Sequence, residues 1–125
     1  MTKQAIGGIS DQKLPFSKAF RAGDFIFVSG QVAFDQNGRL LDGGIEAQTD
    51  QVMRNVEAVL KEADCGLGDI VKTTVWLADA RDFGRFNATY AKYFPDNPPA
   101  RSTVESRLMI DAKIEIEVVA YKPLG

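Results

Sequence analysis

The sequence predicts an α+β domain in which two helices cover one face of a β-sheet. Two observations predict this fold. Short apolar segments and two longer segments with helical spacing follow one another in the order strands, helix, strand, helix, strands. The chain has 125 residues, of which 45% are hydrophobic, so it can bury one core but has no room for a second domain. We therefore expect residues 1–125 to form a single domain.

The first predicted elements are a strand and a tight turn. Phe25–Ser29 is short, apolar and aromatic, which is typical of a strand. After Gln31–Phe34 comes the pair Asn37-Gly38, and both of these residues tolerate positive φ. The pair therefore predicts a hairpin-like excursion that follows the strand.

A long helix is predicted from about Glu46 to Ala63. Acidic residues near its start suit the positive end of the helix dipole, and Gly66 follows soon after its last apolar position. The residues expected to face the core form one stripe: Val52, Val56, Val59, Leu60 and Ala63.

The second half of the chain predicts a strand, a second helix and two further strands. Val71–Leu77 alternates, with Val71, Thr73, Val75 and Leu77 expected on one side. Asp79 is the expected cap of a helix from about Arg81 to Phe94, and three prolines then prevent its continuation. Its aromatic stripe, interpreted as core rather than a stacking platform, is Phe83, Phe86, Tyr90 and Phe94. The final strands are expected at 101–106 and 114–121.

The second face of the predicted sheet is also apolar. Several predicted strands carry apolar residues on both of their sides. The residues expected on this second face, each alternating with apolar neighbours on its own strand, are Phe25, Phe27, Trp76, Val119 and Tyr121. Two helices cannot cover both faces, and a large apolar face is not left exposed to water. Self-association through this face and coverage by loops are the two interpretations, and the sequence does not decide between them.

Composition excludes several classes of site and partner. The sequence has no histidine, which excludes a Ser-His-Asp triad, a Cys-His pair and any histidine-containing zinc site. Cys65 is the only cysteine, so no intrachain disulfide or thiolate cluster can form. The net charge of −2 argues against a dedicated nucleic-acid-binding protein. No apolar run approaches the roughly 20 residues that span a bilayer, and we expect a cytoplasmic protein without nucleic-acid or membrane partners.

Three segments could carry chemistry. Arg101 enters a strand directly after a proline-rich loop, where its guanidinium could bind a carboxylate or phosphate, although pairing with a local acid is the simpler interpretation. Glu115 and Glu117 share one face of the last strand; that face could simply be solvated, or one carboxylate could point into a cleft and hold a water. Ser29-Gly30 could offer backbone groups to a ligand or simply bend the chain.

Six segments together resemble the YjgF/RidA family of reactive-intermediate (imine/enamine) deaminases, also known as translation inhibitors or endoribonucleases. They occur in family order and cover nearly the whole chain: Leu14–Ala19, Phe27–Gln31, Val75–Asp79, Phe86–Tyr90, Pro98–Val104 and Lys113–Glu117. The Pro-Ala-Arg-Ser segment followed by Ile-Glu-Ile-Glu carries the most specific part of the resemblance.

The resemblance implies a chorismate-mutase-like fold, with a mixed sheet, two helices on one face and a homotrimer with clefts between subunits. It implies that Arg101 binds the carboxylate of a small-molecule substrate and that Glu115 positions the attacking water. Ser29 and Gly30 would line the pocket, and Thr103 would contribute backbone groups to it. The implied reaction is hydrolysis of a 2-imino acid, in equilibrium with its enamine, to a 2-keto acid and ammonia, without a cofactor.

Two positions and the length of one segment depart from the family pattern. Phe16 stands where well-studied members have a pocket tyrosine, so that hydroxyl is missing. Thr103 stands where cysteine is frequent, and the segment between Arg101 and Glu115 is one residue shorter. Asn87 matches a family position that we interpret as structural support, and we include it among the expected substrate-binding residues. A non-catalytic protein that binds small carboxylates is the first alternative function, and ribonuclease activity, opposed by the missing histidine and the acidic charge, is the second.

Overall fold

Six strands and two helices form the part of the chain, residues 3–9 and 13–124, that the computed structural model describes. The strands are β1 (Lys3–Ile9), β2 (Ser17–Ala22), β3 (Phe25–Gln31), β4 (Ile70–Leu77), β5 (Ala100–Glu105) and β6 (Ile114–Tyr121). The helices are α1 (Ile45–Glu62) and α2 (Phe83–Ala91), and short 3₁₀ turns at Leu67–Asp69 and Ala80–Asp82 precede β4 and α2.

The strands form one mixed sheet in the order β1-β2-β3-β6-β4-β5. All neighbouring strands are antiparallel except β4 and β5, which are parallel. Parallel neighbours need a crossover connection, and α2 lies in the connection between these two strands. The two helices pack on one face of this sheet, as the sequence predicts.

The core lies between the helices and the sheet. Every residue of the predicted α1 stripe, from Val52 to Ala63, is buried. The helix packs against β3 and β6, which contribute alternate residues to the core: Ile26, Val28, Ile114, Ile116, Val118 and Ala120. The apolar residues that recur every 3.6 positions on α1 therefore pack against those that recur every second position on β6.

The first two strands are not predicted from the sequence. Within β1, Gly7 and Gly8 both have positive φ, and this breaks the regular alternation of a strand. In β2 a charged residue stands at an inward position: Arg21 is 8% exposed and donates hydrogen bonds to the carbonyl oxygens of Gly23 (3.0 Å) and Lys122 (2.9 Å). One of these partners, Lys122, is distant in the sequence, so the apolar pattern alone does not reveal the strand.

The second helix is shorter than the predicted span of residues 81–94. Asp79 does act as a cap, but it accepts a hydrogen bond from the backbone N–H of Arg81 at the start of the 3₁₀ turn, and α2 itself begins at Phe83. Past Ala91 the backbone continues in tighter turns, in which Lys92 and Tyr93 bond to carbonyls three residues earlier. Phe94 is still buried, so the aromatic spacing continues beyond the regular helix.

Two side chains of the predicted rows, Val71 and Phe83, are exposed, unlike their buried neighbours. A β-bulge between Ile70 and Lys72 interrupts the alternation of β4, so Val71 is exposed while Thr73, Val75 and Leu77 are buried. Phe83, at the first turn of α2, is 45% exposed.

The face of the sheet opposite the helices is apolar and open. This outer face carries Phe25, Phe27, Trp76, Val104, Val119 and Tyr121. Four of them, Phe25, Phe27, Val104 and Tyr121, are each more than 40% exposed. The predicted apolar character of this second face is confirmed, and in the described part of the chain no loop buries it.

Candidate functional site

Arg101 lies on β5, the strand at one edge of the sheet. It is in register with Thr73, whose buried hydroxyl shares a 2.8 Å hydrogen bond with that of Tyr90 on α2. Paired residues on adjacent strands direct their side chains to the same face, so Arg101 faces the helices. Its guanidinium carbon lies over the rings of Phe83, Phe86 and Tyr90, at 5.7, 5.2 and 5.0 Å from the ring centroids.

Arg101 has no ion pair with any residue that the structure describes. The alternative that it pairs with a local acid therefore has no support in residues 3–9 and 13–124. Aromatic faces attract a guanidinium but do not occupy its N–H donors. These donors remain available to an anion from outside the chain.

Glu115 lies on β6, in register with Trp76, and therefore belongs to the outer face. Its side chain lies directly over Gly30 of β3: a Cβ at Gly30 would overlap its Oε2 and would lie 2.9 Å from its Cδ. Burial raises the pKa of the Glu115 carboxyl, and the nearby Glu117 raises this pKa further. The group is thus a half-buried carboxyl that takes up a proton more readily than a solvated one.

Ser29 and Gly30 occupy an irregular segment of β3. The register between β3 and β6 shifts between Val28 and Gln31, which places both residues in a bulge. The Ser29 hydroxyl donates a 2.6 Å hydrogen bond to the carbonyl of Ser17, and the Gln31 side chain donates to the Ser29 carbonyl at 3.0 Å. The bulge is where the Glu115 carboxylate and the β3 backbone come into close contact.

A shallow depression of about 310 Å³ lies on the outer face next to this bulge. Ser17, Phe20, Phe27, Ser29 and Glu117 line it. Phe16 precedes Ser17 directly and is 45% exposed.

Thr103 and Asn87 lie on the other side of the sheet, near Arg101. Thr103 is two residues after Arg101 on β5 and is in register with Val75, so its side chain also faces the helices. Its hydroxyl oxygen is buried and, among the described residues, has no hydrogen-bond partner. Asn87 is half-buried on α2, four residues after Phe83 and therefore on the same side of the helix.

The candidate residues thus form two groups that one chain does not bring together. Arg101, Thr103 and Asn87 lie on the helix side, whereas Glu115 and the Ser29-Gly30 bulge lie on the outer face. β5 and β6 are separated by β4, which alone puts about 10 Å between their backbones. Within the described chain, Arg101 and Glu115 therefore face opposite sides of the sheet.

The rings beneath Arg101 are the feature that sequence reasoning missed. Their spacing on α2 was a visible signal, but it is equally typical of a core stripe, and Phe86 and Tyr90 are in fact core residues. Only the register of β5 on β4 shows that Arg101 reaches the same stripe.

Neither the cysteine nor the potential metal ligands of the described residues form a further reactive site. Burial raises the pKa of the Cys65 thiol, and its sulfur lies 3.4 Å from the Leu60 carbonyl, so it is not an activated nucleophile. In the described ranges, three or more metal-binding side chains do not come together at any point. No described helix is long and apolar enough to cross a membrane.

Comparisons with known proteins agree on one family. The family model described as Endoribonuclease L-PSP matches residues 10–122. A RutC family protein from Pyrococcus horikoshii is 46% identical over 110 residues, which cover 86% of this chain and 87% of that protein. A Mus musculus protein named 2-iminobutanoate/2-iminopropanoate deaminase is 39% identical, with 86% of this chain and 82% of that protein covered. The crystal structure of the YjgF gene product from E. coli superposes with a TM-score of 0.85 at 38% identity, covering 94% of this chain and 95% of that one.

Proposed function

Since the chain belongs to the endoribonuclease L-PSP family, which includes the YjgF and RidA proteins, we propose that it hydrolyses reactive 2-imino acids to 2-keto acids and ammonia. Relatives that are 39–42% identical carry the names of deaminases, including Reactive Intermediate Deaminase A of Arabidopsis thaliana. The substrate class is a small carboxylate whose imine is in equilibrium with its enamine.

The observation that supports this proposal most strongly is the environment of the Arg101 side chain. A half-buried guanidinium that is held by aromatic rings and has no acid beside it in the described chain is suited to an anionic ligand. Its planar donors can bind both oxygens of a carboxylate. Such binding would fix the position of the adjacent imine carbon, which is where the reaction takes place.

Glu115 is the group that would position the attacking water and exchange protons with it. As a carboxylate it accepts a hydrogen bond from the water, and it takes a proton from that water as the oxygen attacks the carbon of the protonated imine. The tetrahedral carbinolamine that results carries the amine and the new hydroxyl on the same carbon. Glu115 returns the proton to the nitrogen, the C–N bond breaks, and the hydroxyl loses its proton as the ketone forms. An iminium ion and water thus give a 2-keto acid and ammonium.

We also propose that the active unit is a homotrimer with the site between subunits. Two features support this: Arg101 and Glu115 lie on opposite faces of the sheet, and the apolar outer face needs a cover. In this arrangement one subunit contributes Arg101, Thr103 and Asn87, and its neighbour contributes Glu115, Ser29, Gly30 and Phe16. No cofactor takes part in the proposed reaction.

The experiment that tests the proposal follows the loss of an imine directly. An amino-acid oxidase generates 2-iminopropanoate from alanine, and stopped-flow spectroscopy measures how much this chain accelerates its conversion to pyruvate. We expect acceleration by the wild-type chain and a 10- to 100-fold loss for Arg101→Ala, because a charge-assisted contact of about 1.5–3 kcal/mol is removed. Arg101→Lys should recover only part of the loss, because a point charge does not replace the planar donors.

Two results would contradict the proposal. Binding of pyruvate without any acceleration would indicate a carboxylate-binding protein that is not an enzyme. An Arg101→Ala variant as fast as the wild-type chain would remove Arg101 from the reaction. RNA cleavage that disappears in a point variant would instead favour the ribonuclease alternative.

A further inference from the structure

We propose that Phe83, together with Phe86 and Tyr90, is a positioning residue that fixes the orientation of the Arg101 guanidinium for a carboxylate ligand. The inference rests on the function proposed above, and it adds a role for a side chain that acts through Arg101.

Three rings of α2 lie near one cation, the Arg101 guanidinium. Residues 83, 86 and 90 are three and four positions apart, so they lie on one side of α2. The centroids of all three rings lie within 5.7 Å of the guanidinium carbon, inside the range of a cation–π interaction. The Phe86 and Tyr90 centroids are themselves 5.2 Å apart.

Two of the rings are held by the core. Phe86 and Tyr90 are buried, and the hydrogen bond between the Tyr90 and Thr73 hydroxyls ties α2 to the strand next to β5. Because Thr73 is also the register partner of Arg101, these contacts fix the rings relative to the Arg101 backbone. Packing in the core alone accounts for Phe86 and Tyr90, whatever their contact with Arg101 contributes.

Phe83 differs from Phe86 and Tyr90, because packing in the core does not explain why a phenylalanine stands at this position. Its side chain is 45% exposed, yet its ring lies 5.7 Å from the guanidinium carbon. An exposed phenylalanine adds little to the stability of the domain, so its contact with Arg101 is its main contribution. The ring restricts a long, flexible side chain without using its N–H groups, and these stay directed to the ligand.

The test compares Phe83→Leu with Phe83→Tyr in the full-length protein. Leucine keeps an apolar side chain but has no π face, whereas tyrosine keeps the ring. Calorimetry measures the Kd of pyruvate, and steady-state kinetics measures KM and kcat for 2-iminopropanoate. We expect Phe83→Leu to weaken pyruvate binding and to raise KM by about 2- to 5-fold, with Phe83→Tyr within about twofold of the wild-type chain.

A spectroscopic measurement separates orientation from general stability. Ring currents should shift the NMR resonances of the Arg101 side chain, and Phe83→Leu should reduce that shift while Phe83→Tyr keeps it. Unfolding in urea should be nearly the same for all three proteins, because Phe83 is exposed.

Unchanged pyruvate affinity and an unchanged Arg101 resonance in Phe83→Leu would overturn this inference and leave the proposed reaction intact. A Phe83→Tyr variant as weak as Phe83→Leu would also overturn it, since the ring would then be irrelevant. A wild-type chain that neither binds pyruvate nor hydrolyses the imine would overturn the proposed function, and this inference with it.

Discussion

At the scale of single residues, the site depends on two charges in opposite environments. Arg101 is a cation held by rings, with its donors unoccupied by any described acid. Glu115 is a carboxyl whose pKa is raised by burial and by Glu117. The first environment suits binding of an anion, and the second favours uptake of a proton at a higher pH than a solvated glutamate allows.

The pH dependence of turnover should follow Glu115. In the proposed reaction its carboxylate form takes the proton from the water, so kcat should fall as the pH drops through a pKa that lies above the usual value of a glutamate. Glu117→Gln removes the repulsion that contributes to this shift, so the acidic limb of the kcat profile should move to lower pH. A limb that stays in place would show that another group controls turnover.

The same shift has a consequence for stability. Because the folded state binds the Glu115 proton more tightly than the unfolded chain does, the stabilisation is complete below the unfolded pKa and is lost as the pH rises through the folded pKa. Wherever it is ionised, the half-buried carboxylate is therefore less favourable to the folded state than a neutral group would be. Glu115→Gln should lower kcat sharply and yet unfold in urea at the same or a higher concentration; a clear loss of stability would contradict this.

The Glu115 side chain lies so close to Gly30 that activity should require a glycine at this position. A methyl group at Gly30 would overlap the end of the Glu115 side chain, which can rotate away, so the fold should tolerate Gly30→Ala while the carboxylate is displaced. We expect kcat to fall about 10- to 100-fold with little change in urea unfolding. Gly68→Ala is the matched control, because a Cβ there meets open space. Equal activity of the two variants would remove the contact between Gly30 and Glu115 from the mechanism.

At the scale of elements, one buried side chain of α1 connects the helix to two other segments: the loop before α1 and the loop before β6. Gln48 is 3% exposed; its amide nitrogen donates to the Leu41 carbonyl, and its oxygen accepts from the Lys113 N–H, each at 2.9 Å. Gln48→Ala leaves these two backbone groups without partners. We expect a loss of roughly 1–3 kcal/mol in the free energy of unfolding. Gln36→Ala, at an exposed turn position, is the control and should change stability by less than about 0.5 kcal/mol.

The elements also show how far local pattern carries a prediction. The α1 stripe and the alternation of β6 predict those elements well, because both bury apolar residues at regular spacing. β2 escapes prediction because Arg21 is inward, and the β4 bulge at Val71 depends on pairing with β6. The rings beneath Arg101 and the overlap of Glu115 with Gly30 arise only when distant strands come into register. Candidate residues could be named from the sequence, but their division between two faces could not.

At the scale of the whole molecule, the apolar outer face and the divided site lead to the same expectation. Phe27 lies in the middle of that face and is 47% exposed. If the face is the subunit interface, Phe27→Asp should place a charge in it and shift the protein toward monomers in sedimentation, with loss of imine hydrolysis. Monomers that retain full activity would show that one chain is sufficient.

Complementation between two variants of low activity tests whether the site is shared between subunits. Arg101→Ala and Glu115→Gln chains are unfolded together in equal amounts and refolded, and hydrolysis of 2-iminopropanoate is measured against each variant refolded alone. If each site takes Arg101 from one subunit and Glu115 from its neighbour, random assembly makes about one quarter of the sites intact, and activity should return to about that fraction of the wild-type value. If activity stays at the level of the separate variants although mixed assemblies form, both residues act within one chain and the account of a shared site is wrong.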